Sequence, residues 1–443
     1  MFFRVSITCM KLSREILRLS VPSILANMTI PLVGMVDTAI VGHISNAAAI
    51  GGIAVGTMLF DLLYWNFAFL RVGTSGMTAQ AFGRNDSFAC TKLLVQSLTI
   101  ALTATVLIWA IQWVFVTLVL LCIPCSDEVA DFARQYFFVR IWAAPATLSL
   151  MALKGWFIGV QDTISPMVCD IVVNVVNMFA SYLLAIYTPL GIIGVAYGTV
   201  IAQFIGLLTA VAILLFRYKT YLALFLHGKT MIQRTEIRQL MVLNGNLVIR
   251  SLCFLVVYVG FTSIASYYGN EQLAVASIIM KLFMFFSYFV DGFAYAGEAL
   301  VGRFIGAHDC AKVRVAVREL IFWALIVGGL FSLIYWAFGI ECVSLMTNDI
   351  GVQTVAQDFI VWLIVMPLVS TLAFMWDGIY VGATAGVPIR NAMIWSASGF
   401  VITYVVCFKW LGVQALYIAY FVHLIARVFY LSINYESRIM NYE

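Results

Sequence analysis

Asp37 lies inside an apolar run, LSVPSILANMTIPLVGMVDTAIVGH at 19–43, where a carboxylate costs roughly 2.5 to 3.5 kcal/mol on helix-insertion scales. The run is long enough to cross a bilayer, which takes about 20 mostly apolar residues. Its own helix supplies no cation within a turn of Asp37, and the neighbours Gly34, Thr38 and Gly42 are small. The chemistry open to such a carboxyl is to take up and release a proton. Pro22 and Pro31 sit in the same run. Each removes a rung of the helical ladder and offers a hinge.

Other polar residues fall in stripes. Lys281, Met284, Tyr288, Asp291, Tyr295 and Glu298 are spaced alternately three and four positions apart, which puts them on one helix face. Asp61, Tyr64, Ala68, Arg71, Ser75 and Thr78 repeat the pattern, and Asp170, Asn174, Asn177 and Ser181 share a face. Asn244, Asn246, Arg250 and Ser251 add a fourth group, and Asp377 stands beside Trp376 and Gly378. Polar faces in a membrane chain point to a bundle interior or an aqueous cavity. Asn174, Asn177, Arg250, Lys281, Asp291, Glu298 and Asp377 are therefore candidates to line a cleft. The competing readings are structural. Arg250 or Lys281 could lock Asp291 or Glu298, Asp61, Arg71 and Asp162 could snorkel to the interface, and the two asparagines could be interhelical glue.

The elements that must position these residues are membrane helices. The chain is 63% hydrophobic and 10% charged, with mean hydropathy +1.01. A soluble domain carries about 25% charged residues, so this is a polytopic membrane protein with a lipid bilayer as its first partner. Its net charge of +4 calls for no nucleic acid. Twelve apolar stretches run near 16–43, 51–80, 92–119, 131–153, 165–187, 190–217, 240–268, 273–303, 315–338, 353–375, 388–408 and 412–434. Such long runs exclude a strand barrel. Residues 1–20 show no cleavable signal pattern and read as an amphipathic lead-in.

Lys and Arg concentrate in alternate connections, among them Arg84 and Lys92, Lys154, the group from Arg217 to Arg238, Arg303 to Arg318, and Arg390. The opposite set holds Lys409 alone with Asp127, Glu128, Glu271, Glu341 and Asp349. The asymmetry predicts that both termini are cytoplasmic, in a cell inner membrane. The halves also align with each other. AFGRND at 81–86 lies over FIGAHD at 304–309, so Gly83 meets Gly306 and Asp86 meets Asp309. QYFFVRIWAAP at 135–145 falls over QDFIVWLIVMP at 357–367, one position off that register. Six spans per half make a parallel repeat, with substrate sites near the midplane. The expected organisation is an N-lobe at 1–217, a cytoplasmic linker at 218–239 and a C-lobe at 240–443.

Catalytic signatures are missing. There is no HExxH, GxSxG or nucleotide loop, and the four histidines are scattered, so neither enzyme nor ATP-driven pump is expected. Cys122 and Cys125 form a lone CxxC in a short loop, which carries no zinc or redox inference by itself.

The run at 19–43, GGIAVG at 51–56, LRVGTSGMTAQAFG at 70–83, GWFIGVQDT at 155–163, NVVN at 174–177 and DGFAYAGEA at 291–299 together resemble the multidrug and toxin extrusion (MATE) transporters, most closely the DinF branch. The resemblance covers nearly the whole chain. It implies an all-α fold of twelve transmembrane helices, in two six-helix lobes around a central cleft. It also implies cation-driven antiport of amphipathic, often cationic, drug-like compounds, by a monomer with no cofactor beyond the ion gradient. The family's coupling carboxylate falls on Asp37, and Asn174 and Asn177 fall on its polar neighbours. Where many members carry an Asp four positions after the second Asn, this chain has Ser181, which places more weight on Asp37. Asp377 matches a carboxylate that serves a sodium site in the NorM branch, yet the seventh span has Arg250 and no Glu. Protons are therefore expected over sodium. A flippase for a lipid-linked saccharide on a related scaffold is the remaining alternative.

Overall fold

The computed structural model describes residues 2–44, 47–123, 125–227 and 234–440. All regular structure among them is helical. Among the described residues, twelve helical spans are long and apolar enough to cross a membrane, as the hydropathy predicts. By contacts the chain divides into two compact units, one of residues 25–239 and the other of residues 1–24 with 240–443. The boundary falls inside the first helix.

The unit of residues 25–239 contains the later part of α1 (Phe2–Ile44), then α2 (Ala47–Trp65), α3 (Phe69–Gly83), α4 (Ser87–Cys122), α5 (Asp127–Arg140), α6 (Ala144–Gly159), α7 (Ile164–Ile186), α8 (Ile192–Arg217) and α9 (Lys219–His227). The other contains the start of α1 with all but the first turns of α10 (Arg234–Ser266), and then α11 (Asn270–Gly306), α12 (Cys310–Ser344), α13 (Ile350–Gln357), α14 (Ile360–Gly382), α15 (Gly386–Leu411) and α16 (Gln414–Tyr435). Helix α1 runs through Pro22 and Pro31 without interruption. Of its lead-in, Leu12, Ile16 and Leu19 are buried on one face, and Glu15 holds Arg303 through two hydrogen bonds of 2.6 and 3.0 Å. Part of the linker, 228–233, and the side chain of Cys122 lie outside the described residues.

The internal repeat is written into the backbone. Among the described residues, four other than glycine adopt a left-handed φ, and they form two pairs at equivalent places in the repeat: Asn85 (57°) with His308 (54°), and Gln161 (67°) with Thr384 (55°). Each follows a helix C-terminus, and the amide of the next residue closes the turn onto a carbonyl five positions back. Asp86 N donates to Ala81 O, Asp162 N to Phe157 O, Asp309 N to Phe304 O and Ala385 N to Tyr380 O, at distances between 2.9 and 3.1 Å. This is the Schellman closure of a helix end. The closing aspartate then caps the following helix, Asp86 accepting from Ala89 N and Asp309 from Lys312 N. Asp162 accepts from Ile164 N, Ser165 N and Tyr218 Oη and pairs with Arg217 at 3.0 Å. Asp162 is a helix junction, where the sequence reading allowed it only to snorkel.

Helix contacts repeat as well. A Cβ on Gly155 would stand 2.3 Å from the Arg71 carbonyl oxygen, and one on Gly378 would stand 2.5 Å from that of Ala294. No side chain fits either crossing, so α6 packs on α3 as α14 packs on α11. The second span departs from the repeat. The second span is interrupted between α2 and α3, where Phe67 N turns back to the Tyr64 carbonyl at 2.9 Å and Asn66 Nδ2 donates to Leu62 O at 2.7 Å. The equivalent stretch of α11 is unbroken. An asparagine that bonds the preceding turn offers the backbone an alternative to the helical ladder.

Candidate functional site

Asp37 is positioned by its apolar neighbours. Val36 and Ile40 pack into the cluster that holds Phe60, Tyr136 and Phe137. Asp37 is half-buried, and its Oδ1 is shielded with no hydrogen-bond partner among the described residues. A buried polar atom left in that condition is costly, and it calls for an explanation such as a proton or ligand that comes and goes.

The neighbouring cation is Arg140, at the C-terminus of α5. Its guanidinium acts electrostatically on both Asp37 and Asp61, but closes an ion pair with neither among the described residues. It lies instead 4.6 Å from the Phe60 ring centre and 5.6 Å from that of Tyr136, and Nη1 donates to Tyr136 Oη at 3.0 Å. Phe60 is stacked in turn on Tyr64 and Phe137, at 5.5 and 4.8 Å. Cation–π contact of this kind is worth about 0.5–2 kcal/mol depending on desolvation, enough to hold the guanidinium on the rings. Asp61 is exposed. The constellation holds two carboxylates and one guanidinium against an aromatic wall.

The asparagines face elsewhere. Asn174 Nδ2 donates to Thr29 Oγ1 of α1, about two helical turns before Asp37. Asn177 is buried and donates to Thr199 Oγ1 of α8 at 2.9 Å. Asp170, on the same helix, is ion-paired with Lys154. Among the N-terminal candidates, the structure brings Asp37 together with Asp61 and with an arginine that the sequence reading did not single out.

In the other unit the charges are reversed. Asp377 of α14 is 8% exposed and Arg427 of α16 is 4% exposed. Arg427 Nε donates to Asp377 Oδ1 at 3.1 Å, and its Nη2 pairs with Oδ2. Arg250 Nη1 of α10 reaches the same Oδ2 at 3.1 Å. One carboxylate thus carries two guanidiniums, one of them as a fork that gives geometry as well as energy. His423, one turn before Arg427, is 1% exposed and its Nδ1 has no hydrogen-bond partner among the described residues. On α11, Lys281 is exposed, Asp291 half-buried and Glu298 buried. No group of three or more His, Cys, Asp or Glu among the described residues is arranged to hold a metal ion.

Arg140 and Arg427 are further cations inside apolar spans that the stripes of polar residues do not include. The carboxylate that Arg427 meets lies 50 positions away, whereas Arg140 bonds Tyr136 one turn back on its own helix.

The family model described as MatE matches residues 22–183 and 247–409. The chain is 34% identical over 415 residues to the DNA damage-inducible protein F of Escherichia coli, covering 92% of this chain and 89% of that protein. It is 26% identical to Protein DETOXIFICATION 44, chloroplastic, of Arabidopsis thaliana, over 84% of this chain and 73% of that one. A probable multidrug resistance protein NorM of Thermotoga maritima is 25% identical over 44% of this chain and 43% of its own length. Among solved structures, a MATE in complex with MaL6 superposes with a TM-score of 0.87 at 18% identity, covering 97% of this chain and 96% of that one.

Proposed function

In this chain, which belongs to the MatE family of multidrug and toxic-compound efflux transporters, we propose that export of amphipathic cations is driven by protons and that Asp37 is the group that exchanges one for the other. The observation that carries the reading is the shielded Asp37 Oδ1, which has no hydrogen-bond partner and no closed ion pair among the described residues although Arg140 is near. A carboxylate satisfied by neither partner can accept a proton or face a cation. In one state Asp37 binds the compound as a carboxylate. Protonation removes the counter-charge and the cation leaves. One proton exchanged for one monovalent cation moves no net charge, so the pH difference does the work, about 1.4 kcal/mol for each tenfold difference in proton concentration. Pro22 and Pro31 give α1 weakened points at which the step can be passed along the helix.

Sodium coupling finds less support. The carboxylate that would serve it, Asp377, is occupied by Arg250 and Arg427. Two arginines on one carboxylate are what an anionic headgroup, as in the lipid-linked-saccharide flippase reading, would need, whereas the paired acids Asp37 and Asp61 favour cations. The Lys and Arg asymmetry supports an orientation with both termini cytoplasmic.

The test is ethidium efflux from loaded vesicles with a proton gradient and a sodium gradient imposed separately. Proton-driven export that is lost in Asp37→Asn, with the variant present in the membrane, is expected. Export driven by sodium alone overturns the assignment. So does undiminished proton-driven export by the variant.

A further inference from the structure

We propose that Arg140 sets the charge of the compound the site accepts, restricting it to cations with a single positive charge. The proposal rests on the reading of Asp37 as the cation site and deepens it. Three observations meet at one place. Asp37 of α1 and Asp61 of α2 supply two carboxylates that both interact with Arg140. Arg140 supplies one positive charge that acts on both. And the guanidinium is held off the carboxylates by Phe60, at 4.6 Å, and by Tyr136, whose hydroxyl accepts from its Nη1 at 3.0 Å.

That restraint matters. An arginine forked onto Asp37 would satisfy the carboxylate and close the site, as Arg427 does to Asp377. On the rings it leaves Asp37 Oδ1 open while still subtracting one charge from the whole. The site is then short of one positive charge. A monovalent cation neutralises it. A divalent one leaves an excess charge beside the half-buried Asp37, which costs several-fold to about tenfold in affinity at the effective dielectric of protein sites.

The experiment uses the full chain in lipid nanodiscs with two probes that share a ring system, ethidium (one charge) and propidium (two), read by fluorescence on binding. The wild type is expected to prefer ethidium. Arg140→Gln keeps a donor for Tyr136 but drops the charge, and should move the ratio toward propidium roughly tenfold. Arg140→Lys keeps the charge and should keep the wild-type ratio. Asp61→Asn changes the count the other way and should move the ratio toward ethidium by a similar factor, so the proposal stays testable if Arg140→Gln does not fold. An unchanged ratio in a folded Arg140→Gln overturns it, and so does an unchanged ratio in Asp61→Asn. If wild-type ethidium binding is indifferent to Asp37→Asn, the assignment of the site itself has failed. Loss of binding in Asp37→Asn with no shift in the ratio variants means that only the role of Arg140 has failed.

Discussion

Gly155 lets α6 touch the Arg71 carbonyl, and at the equivalent place in the second half Gly378 lets α14 touch that of Ala294. The turns that follow repeat as well, with a left-handed φ of 67° at Gln161 and 55° at Thr384. On this common backbone, the two units treat their membrane carboxylates in opposite ways. Around Asp37 there are two acids and one arginine, and the arginine rests on aromatic rings. Around Asp377 there is one acid and two arginines, bonded at 3.1 Å and closer. The first arrangement leaves a charge to be satisfied by something that comes and goes. The second is satisfied in place. Duplication supplied two equivalent scaffolds, and the charge count decides which one has work to do.

The widest separation between the two should appear in stability. Asp377→Asn strands two guanidiniums in a buried place, and breaking such a pair costs roughly 3 to 5 kcal/mol. Thermal unfolding in detergent should show the loss. Asp37→Asn removes a carboxylate whose Oδ1 has no bond to lose, and should leave the unfolding temperature unchanged or raised. Equal destabilisation by the two variants would break the comparison.

Coupling within the C-terminal cluster comes next. Arg427→Met should destabilise strongly alone, and much less in a chain that already carries Asp377→Leu, because the second change removes the stranded charge. Additive losses in the double-mutant cycle would mean that the fork contributes little. Smaller again, and the same in both units, is the cost of filling the shared crossings. Gly155→Ala and Gly378→Ala each push a Cβ against backbone that cannot yield, and about 1–3 kcal/mol is expected from each. Unequal costs would show that the two crossings differ in more than charge.

The smallest effect is at the caps. Asp309→Ala should cost about 1 kcal/mol. The side chain and backbone of Lys312 both bond Asp309, and they hold its carboxyl below the usual carboxylate range. A carboxyl lowered in the folded state contributes stability above its unfolded value. That contribution is therefore lost as pH falls below about 4. A pH titration of unfolding, wild type against Asp309→Ala, checks it.

Much of the fold was legible. The twelve spans follow from apolar runs that no soluble core needs. The repeat shows because Gly83 and Asp86 recur as Gly306 and Asp309, at the closures where backbone conformation restricts the choice. Asp37 stood out because no local partner excuses a carboxylate there. The break at residues 66–68 was not legible. Asn66 alone does not stop a helix, and the equivalent residues of α11 run on. Nor were the pairings. Arg140 sits in a run of aromatics, QYFFVRIW, where hydropathy averages it away. Arg250 and Asp377 are far apart in sequence yet bonded in the fold, so which acid a lone arginine meets is a matter of packing. The spacing of the polar stripe on α11 says which residues share a face, but carries no information about what that face meets.

The most direct measurement is proton release on ligand binding. Purified protein in weakly buffered detergent, with a pH-sensitive dye, is mixed with ethidium. The wild type is expected to release protons as ethidium binds, Asp377→Leu to do the same where it folds, and Asp37→Asn to release none. Ethidium binding by the wild type with no proton release, or release that persists in Asp37→Asn, would contradict the account.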